Sequence, residues 1–350
     1  MSQLVLVANA REGSITALRL RRDGVPRLEP LETTGGLPGC GTFAVDAARD
    51  LVHAAYKDDP PGVATLRLDR ASGALVEVAR REVEDSQTYL SLAHGGTVLL
   101  GASYAGGSGR VWPVEHGDGR ARLADPTARI AFANLHCVVP AAAASGTVAY
   151  FVSLGDDLVA QYELGSDGDL APLDPETVAA PQGSGPRHLV VDGAHAWVMT
   201  EFSGEVLAFD RAPDGPLSPA GAVDVVDPRH GLRRSRLGAD PVAEHLIWGA
   251  DLHRAGEWLI TSERSSSELA SVPVDASGRP AEPVAFTPTQ PQPRGFAVTA
   301  DGRLVISVGE RSTLAELLQV EDDGTLTSLG TAPVGEGPNW VRVVEDGARE

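Results

Sequence analysis

Apolar and polar residues alternate along this chain in short runs, and the runs recur as a unit. The clearest copy begins at Arg187-His188-Leu189-Val190-Val191, turns at Asp192-Gly193 and continues through Ala196-Trp197-Val198-Met199-Thr200. Ser203-Gly204, the run Val206-Leu207-Ala208-Phe209-Asp210 and the turn Asp214-Gly215 complete it. Alternation with a period of two marks strands with one buried face, and the Gly- and Asp-bearing pairs between them are turn formers. Other copies start at Gly41, Thr88, His136, Asp251 and Arg294, so successive starts are 47, 48, 51, 64 and 43 residues apart. Several strands per unit at a spacing of roughly 40–50 residues predict an all-β propeller.

The termini complete the ring. Residues 4–8 and 15–20 read as two strands of a unit that lacks its first strand. The missing run lies at the other end, in Asn339-Trp340-Val341-Arg342-Val343-Val344, one period beyond the Arg294 start. Pairing this strand with the N-terminal blade removes two open sheet edges, whose unpaired N–H and C=O groups would otherwise invite aggregation. Six whole units and one shared between the termini predict seven blades. Each blade buries its faces only against its neighbours, so residues 1–350 are expected to form a single domain despite their number.

Composition narrows the function. No stretch approaches 18 unbroken apolar residues, so no membrane partner is expected. Ser2-Gln3-Leu4 leads straight into the first strand without a basic region or signal-like core, which predicts a cytoplasmic protein. A formal charge of −19 disfavours nucleic acid and anionic membranes. It leaves room for a small anionic substrate, because a few inward-facing arginines override a global field. Cys40 and Cys137 are too few for a structural zinc site and read as buried free thiols. Dinucleotide, Walker, zinc-protease and nucleophile-elbow motifs are absent. The sequence leaves the oligomeric state open.

The innermost strand of each propeller blade lines a central channel, so polar residues at strand starts and at the ends of second strands gather there from distant positions. Four stand out: His136 in Asn134-Leu135-His136, Arg187 in Gly185-Pro186-Arg187-His188, Glu201 in Thr200-Glu201-Phe202-Ser203-Gly204, and Arg264 in Ser262-Glu263-Arg264-Ser265. Arg294 repeats the Pro-Arg theme in Gln292-Pro293-Arg294-Gly295-Phe296, and Tyr89 opens the strand of an earlier blade. A Pro-Arg pair at a strand start also serves as a plain inter-blade anchor, and a Glu at a strand end as a turn former. The case for a site therefore rests on the set and not on any single member.

Taken with Thr88-Tyr89-Leu90-Ser91 and Gly249-Ala250-Asp251-Leu252-His253, these motifs resemble the lactonase-type seven-bladed propellers. That family includes bacterial 6-phosphogluconolactonases of the cycloisomerase-like type and fungal carboxymuconate lactonizing enzymes. The resemblance spans essentially the whole chain. It implies a metal-independent channel site without cofactor, built from a His, two Arg and a Glu, which fall on His136, Arg187, Glu201 and Arg264. Tyr89, His188 and Arg294 are expected among the substrate contacts. Around this charged set the family's neighbours differ: Asn134 stands where a second histidine is common, and Glu263 precedes Arg264 in place of Asn.

Lactone hydrolysis needs an activated water, a stabilised oxyanion and a proton for the leaving alkoxide. A carboxylate such as Glu201 serves as base, and arginine forks suit both an oxyanion and a substrate phosphate or carboxylate. A histidine titrating near neutrality would pass the proton. The same groups could run a lactone-forming cycloisomerisation. A non-enzymatic ligand- or protein-binding propeller is the alternative from another class; it predicts dispersed charges and an apolar rim. A calcium-dependent gluconolactonase would need more channel carboxylates and asparagines than the sequence offers.

Overall fold

The computed structural model describes residues 3–117 and 120–344. Seven antiparallel sheets follow one another around a ring, and the expected strand starts are all met to within two residues. Blade 1 runs outward from Pro338–Val344 through Gln3–Asn9 and Ser14–Arg21 to Arg27–Thr34. Blade 4 consists of Leu135–Ala143, Gly146–Ser153, Leu158–Leu164 and Leu170–Ala179. Blade 5 consists of Pro186–Asp192, His195–Thr200, Glu205–Arg211 and Leu217–Asp224. Blade 6 consists of Gly249–Ala255, Trp258–Glu263, Glu268–Pro273 and Ala285–Pro288. Phe43–Asp46, Tyr89–Ala93 and Gly295–Val298 open blades 2, 3 and 7.

The ring closes as the periodicity requires. Pro338–Val344 pairs with Gln3–Asn9 in the register Leu4↔Val344, Leu6↔Arg342 and Ala8↔Trp340. Trp340 then locks blade 1 to blade 2, its indole Nε1 donating to the Phe43 carbonyl at 3.0 Å.

Each blade carries one strand more than the three alternating runs of the repeat. Leu217–Asp224, the outer strand of blade 5, shows why. Only Leu217 and Val223 are buried along it, so it has no apolar alternation to read. In blade 3 the outer position is divided: Arg120–Leu123 and Ala128–Ala131 both pair with Ser108–Gly117.

The core is not central. Seven apolar clusters each fill the gap between two adjoining blades. Leu6, Ile15, Phe43, Val52 and Trp340, for example, join blades 1 and 2. Two buried faces per blade follow from twisted sheets stacked radially, and this leaves the channel free for polar side chains.

The long step of 64 residues has a structural cause. Between Asp224 and Gly249 the chain leaves the blade pattern, with a 3-10 turn at Pro228–His230 and one helical turn at Pro241–Glu244. This excursion packs across blades 5 and 6: Ser235 N donates to Phe202 O at 2.9 Å, and Ser265 Oγ donates to Leu246 O at 2.7 Å. It delivers Trp248 to the edge of the channel.

Candidate active site

The inner strands of blades 1, 4, 5 and 6 are irregular where they begin. Register breaks leave Asn339, His136 and Arg187 without a cross-strand partner, and a wider break spans Ala250 and Asp251. These are β-bulges, which turn a side chain out of the regular alternation and re-aim it. The fold thus uses one device on four blades to send polar groups into the channel.

Arg187 and Glu201 lie on blade 5, where the strand start and the following β-turn face each other. Arg187 Nε donates to Glu201 Oε2 at 2.8 Å. Arg264, from blade 6, reaches the same oxygen at 2.9 Å. Oε1 takes no bond from the described residues, and the Glu201 side chain is 15% exposed against 1% for Arg187 and 3% for Arg264. Backbone carbonyls hold both guanidiniums. Arg187 Nη1 donates to Ala250 O at 2.5 Å, and Arg264 donates to Trp248 O and Gly249 O at 3.2 and 3.1 Å. The Trp248 ring stacks 3.8 Å from the Arg264 guanidinium carbon. Gly249 permits the close approach of blades 5 and 6 here: a Cβ there would lie 2.2 Å from Thr200 O.

His136 joins from blade 4. Its ring is 5.2 Å from the His188 ring and 6.0 Å from that of Tyr104, and its buried Nδ1 has no hydrogen-bond partner. Arg294, from blade 7, pairs with Glu310 at 3.0 Å, and Gln292 Nε2 donates to the other oxygen of Glu310 at 2.7 Å. Its charge is felt by His136, Arg187 and Glu201 alike. The structure therefore brings His136, Arg187, Glu201, Arg264 and Arg294 into one cluster, within electrostatic reach of one another.

Tyr89 and His188, expected as substrate contacts, belong to a cluster of rings. Tyr89 meets His188 edge-on at 5.3 Å and Trp340 at 4.9 Å, and His188 meets Trp340 at 5.8 Å. These rings come from blades 3, 5 and 1, which are not neighbours, so their contact fills the channel at that level. Both ring nitrogens of His188 have protein partners: Nδ1 lies 2.6 Å from Asp251 Oδ1 and Nε2 lies 3.2 Å from Arg187 Nη1. The Tyr89 hydroxyl lies against the Cys137 thiol. Burial accounts for this, since a polar group removed from water must find a partner inside.

Three residues escaped the sequence reading. Asp251 stood out only as a strand start within the motif at residues 249–253, and Glu310 carried no signal. Asn339 was read only as a strand, yet it is 2% exposed at a bulge equivalent to that of Arg187, with its carboxamide oxygen unpartnered. A signal was present: Gly337-Pro338-Asn339 repeats Gly185-Pro186-Arg187.

A family model described as "Lactonase, 7-bladed beta-propeller" matches residues 5–343. The chain belongs to that family. Among curated relatives, the 6-phosphogluconolactonase of Serratia proteamaculans is 28% identical, covering 98% of this chain and 99% of the relative. That of Sodalis glossinidius is 27% identical over the same shares. The solved periplasmic gluconolactonase of Pseudomonas aeruginosa has a TM-score of 0.83 at 24% identity, covering 99% of this chain and all of the other. At that identity the likeness speaks for the fold alone. The chain is accordingly an enzyme of the lactonase type.

The electrostatics of this lactonase differ in one respect from the sequence expectation. His136 does not titrate near neutrality. Burial, then the charges of Arg187, His188, Arg294 and Arg264, hold its pKa well below 6.5. Burial pushes the Glu201 carboxyl up, but Arg264, Arg187 and Arg294 outweigh it and leave the pKa below its ordinary value. Burial and Arg187 bring His188 down to about 4, and burial brings His53 of blade 2 to about 4.

A stability prediction follows. These histidines stay neutral in the fold below pH 6.5, where the unfolded chain binds their protons. Their contribution is fully present above that pH and is lost as the pH falls toward about 4. The loss is about 1.4 kcal/mol per pH unit for each such histidine. Thermal melting followed from pH 7.5 to 4.5 should show Tm falling steeply below about pH 6; a flat Tm across that span would contradict the assignment.

Among the described residues, Asp227, His230 and Glu268 have ligand atoms within 4.8 Å of one another, close enough to hold a metal ion. They belong to the blade 5–6 excursion and the third strand of blade 6. Both oxygens of Asp227 are already engaged by Arg229. No helix of the described residues is long and apolar enough to cross a membrane.

Proposed function

We propose that the protein hydrolyses an anionic sugar lactone of the 6-phosphogluconolactone kind, with His136, Arg187, Glu201 and Arg264 as the catalytic set. The observation that carries this reading is the charge of this cluster. Arg187, Arg264 and Arg294, with Lys57 beside Arg294, face Glu201, Glu310 and Asp251 there, so positive charge holds its own in a chain of formal charge −19. The most exposed arginine, Arg294, is placed to meet the phosphate or carboxylate of the substrate. Phosphorylated sugars are cytoplasmic metabolites, and the free thiols Cys40 and Cys137 accord with a reducing compartment.

In this reading Glu201 is ionised throughout the working range and receives the proton of the attacking water through Oε1. It is a weak base. The barrier is lowered mainly by Arg187 and Arg264, whose remaining N–H groups stabilise the oxyanion as the water oxygen bonds to the carbonyl carbon. Collapse of the tetrahedral adduct breaks the ring C–O bond, and the alkoxide takes a proton. His136 relays to the alkoxide the proton that Glu201 took from the water, once the substrate anion has neutralised the arginines that suppress its protonation. Asn339 contributes an acceptor for a substrate hydroxyl.

Binding 6-phosphogluconate should therefore move the His136 titration upward, read by NMR of imidazole-labelled protein. An unshifted His136 in the complex would remove it from the proton path. The reading as a whole is tested by pH-stat assay of sugar lactones, phosphosugar lactones and muconolactones, with and without EDTA. Phosphosugar lactones are expected to be hydrolysed fastest, at a rate EDTA leaves unchanged. Activity lost to EDTA and restored by calcium would overturn the metal-independent mechanism.

A further inference from the structure

We propose that Asp251 and His188 form a positioning relay that holds the Arg187 guanidinium in the orientation in which it meets Glu201 and the substrate. The proposal deepens the reading of this charged cluster as a lactone site and rests on it for its catalytic consequence. Its physical basis is a continuous hydrogen-bonded chain across blades 6 and 5.

The donors and acceptors fix the direction of that chain. A guanidinium only donates, so Arg187 Nη1 gives its hydrogen to His188 Nε2 at 3.2 Å. Nε2 must then be the bare nitrogen, and the proton sits on Nδ1, which donates to Asp251 Oδ1 at 2.6 Å. Asp251 is itself fixed. Leu252 N donates to Oδ1 at 2.9 Å and Phe296 N, from blade 7, to Oδ2 at 3.2 Å, while His253 Nε2 lies 3.3 Å from Oδ2. Its own N–H donates to Ser262 Oγ at 3.0 Å. At the far end Arg187 Nε donates to Glu201 Oε2 at 2.8 Å.

The wrong tautomer of His188 would point an N–H at the N–H of Arg187. Two opposed donors in a buried site would push the guanidinium off Glu201. Asp251 excludes that tautomer because its carboxylate accepts only a donated hydrogen. Asp251 and His188 thus act through Arg187 without touching substrate. Two bulges make the arrangement possible, one presenting Arg187 beside His188 and the other turning Asp251 toward it.

The test combines two measurements on the full chain. In protein labelled with 15N-histidine, His188 should show the Nδ1–H tautomer, and Asp251→Asn should shift it toward Nε2–H. In the lactone assay, run below the variant's own melting temperature, Asp251→Asn should lower kcat by about 10–100-fold, the scale of a misplaced catalytic group. His188→Gln keeps an acceptor for Arg187 and a donor for Asp251, so it should keep more activity than His188→Leu. An Asp251→Asn enzyme with unchanged kcat would overturn the relay, as would a wild-type His188 in the Nε2–H form. Should wild type hydrolyse no lactone, the functional reading fails separately. The tautomer, and the affinity of Asp251→Asn for 6-phosphogluconate, would still decide the relay: a wild-type affinity in that variant overturns it.

Discussion

Glu201→Gln is expected to lower lactone hydrolysis by about a hundredfold or more, the usual scale for a lost general base. The substitution keeps the shape of the side chain and removes the charge that Arg187 and Arg264 share at 2.8 and 2.9 Å. Two effects then separate. Loss of the base lowers kcat, whereas two guanidiniums released from their carboxylate should bind an anionic substrate more tightly and lower KM. Steady-state kinetics on a phosphosugar lactone reads both. Unpairing buried charges also weakens the fold, so a melting curve must accompany the rates. Arg187→Lys is the companion variant. An ammonium keeps the charge but cannot bond Glu201, Ala250 O and His188 together, so kcat and KM should both worsen. A Glu201→Gln enzyme with nearly unchanged kcat would strip Glu201 of its assigned role.

Deleting residues from Asn339 onward is expected to abolish soluble folded protein. The lost strand carries Trp340, Val341 and Val344, all buried. Burying three such side chains contributes roughly 5–9 kcal/mol, comparable with the whole net stability of a typical domain. The deletion also removes the Trp340–Phe43 hydrogen bond between blades 1 and 2 and opens two sheet edges. Yield, size-exclusion profile and melting of the truncated chain measure this. A monomer with wild-type melting would show that the ring does not depend on its closing strand.

The architecture was legible because it is written in burial. Runs such as Val206-Leu207-Ala208-Phe209 alternate between the two neighbours of a blade, and the spacing of the starts counted the blades. The gap of 64 residues signalled an insertion without showing its shape. The outer strands were hidden, since a strand facing water on its outer edge has no alternation to betray it.

For the site, residue types and repeat positions sufficed to name His136, Arg187, Glu201, Arg264 and Arg294 as a set. Which of them touch, and in which protonation state, was not accessible. A pKa depends on burial and on charges brought close by the fold. Read as an isolated residue, His136 should titrate near neutrality. Among three arginines, and cut off from water, it does not. His188 was expected among the substrate contacts. The bulge at Arg187 and the carboxylate of Asp251, 63 residues away, engage both of its ring nitrogens. Local pattern and period thus determined the seven blades, the closing strand and the list of charged candidates, since each follows from how a strand buries its own faces. The pairing of those candidates, their charge states and the role of Asp251 were decided by tertiary structure, because they arise only where bulged strands from different blades converge on one channel.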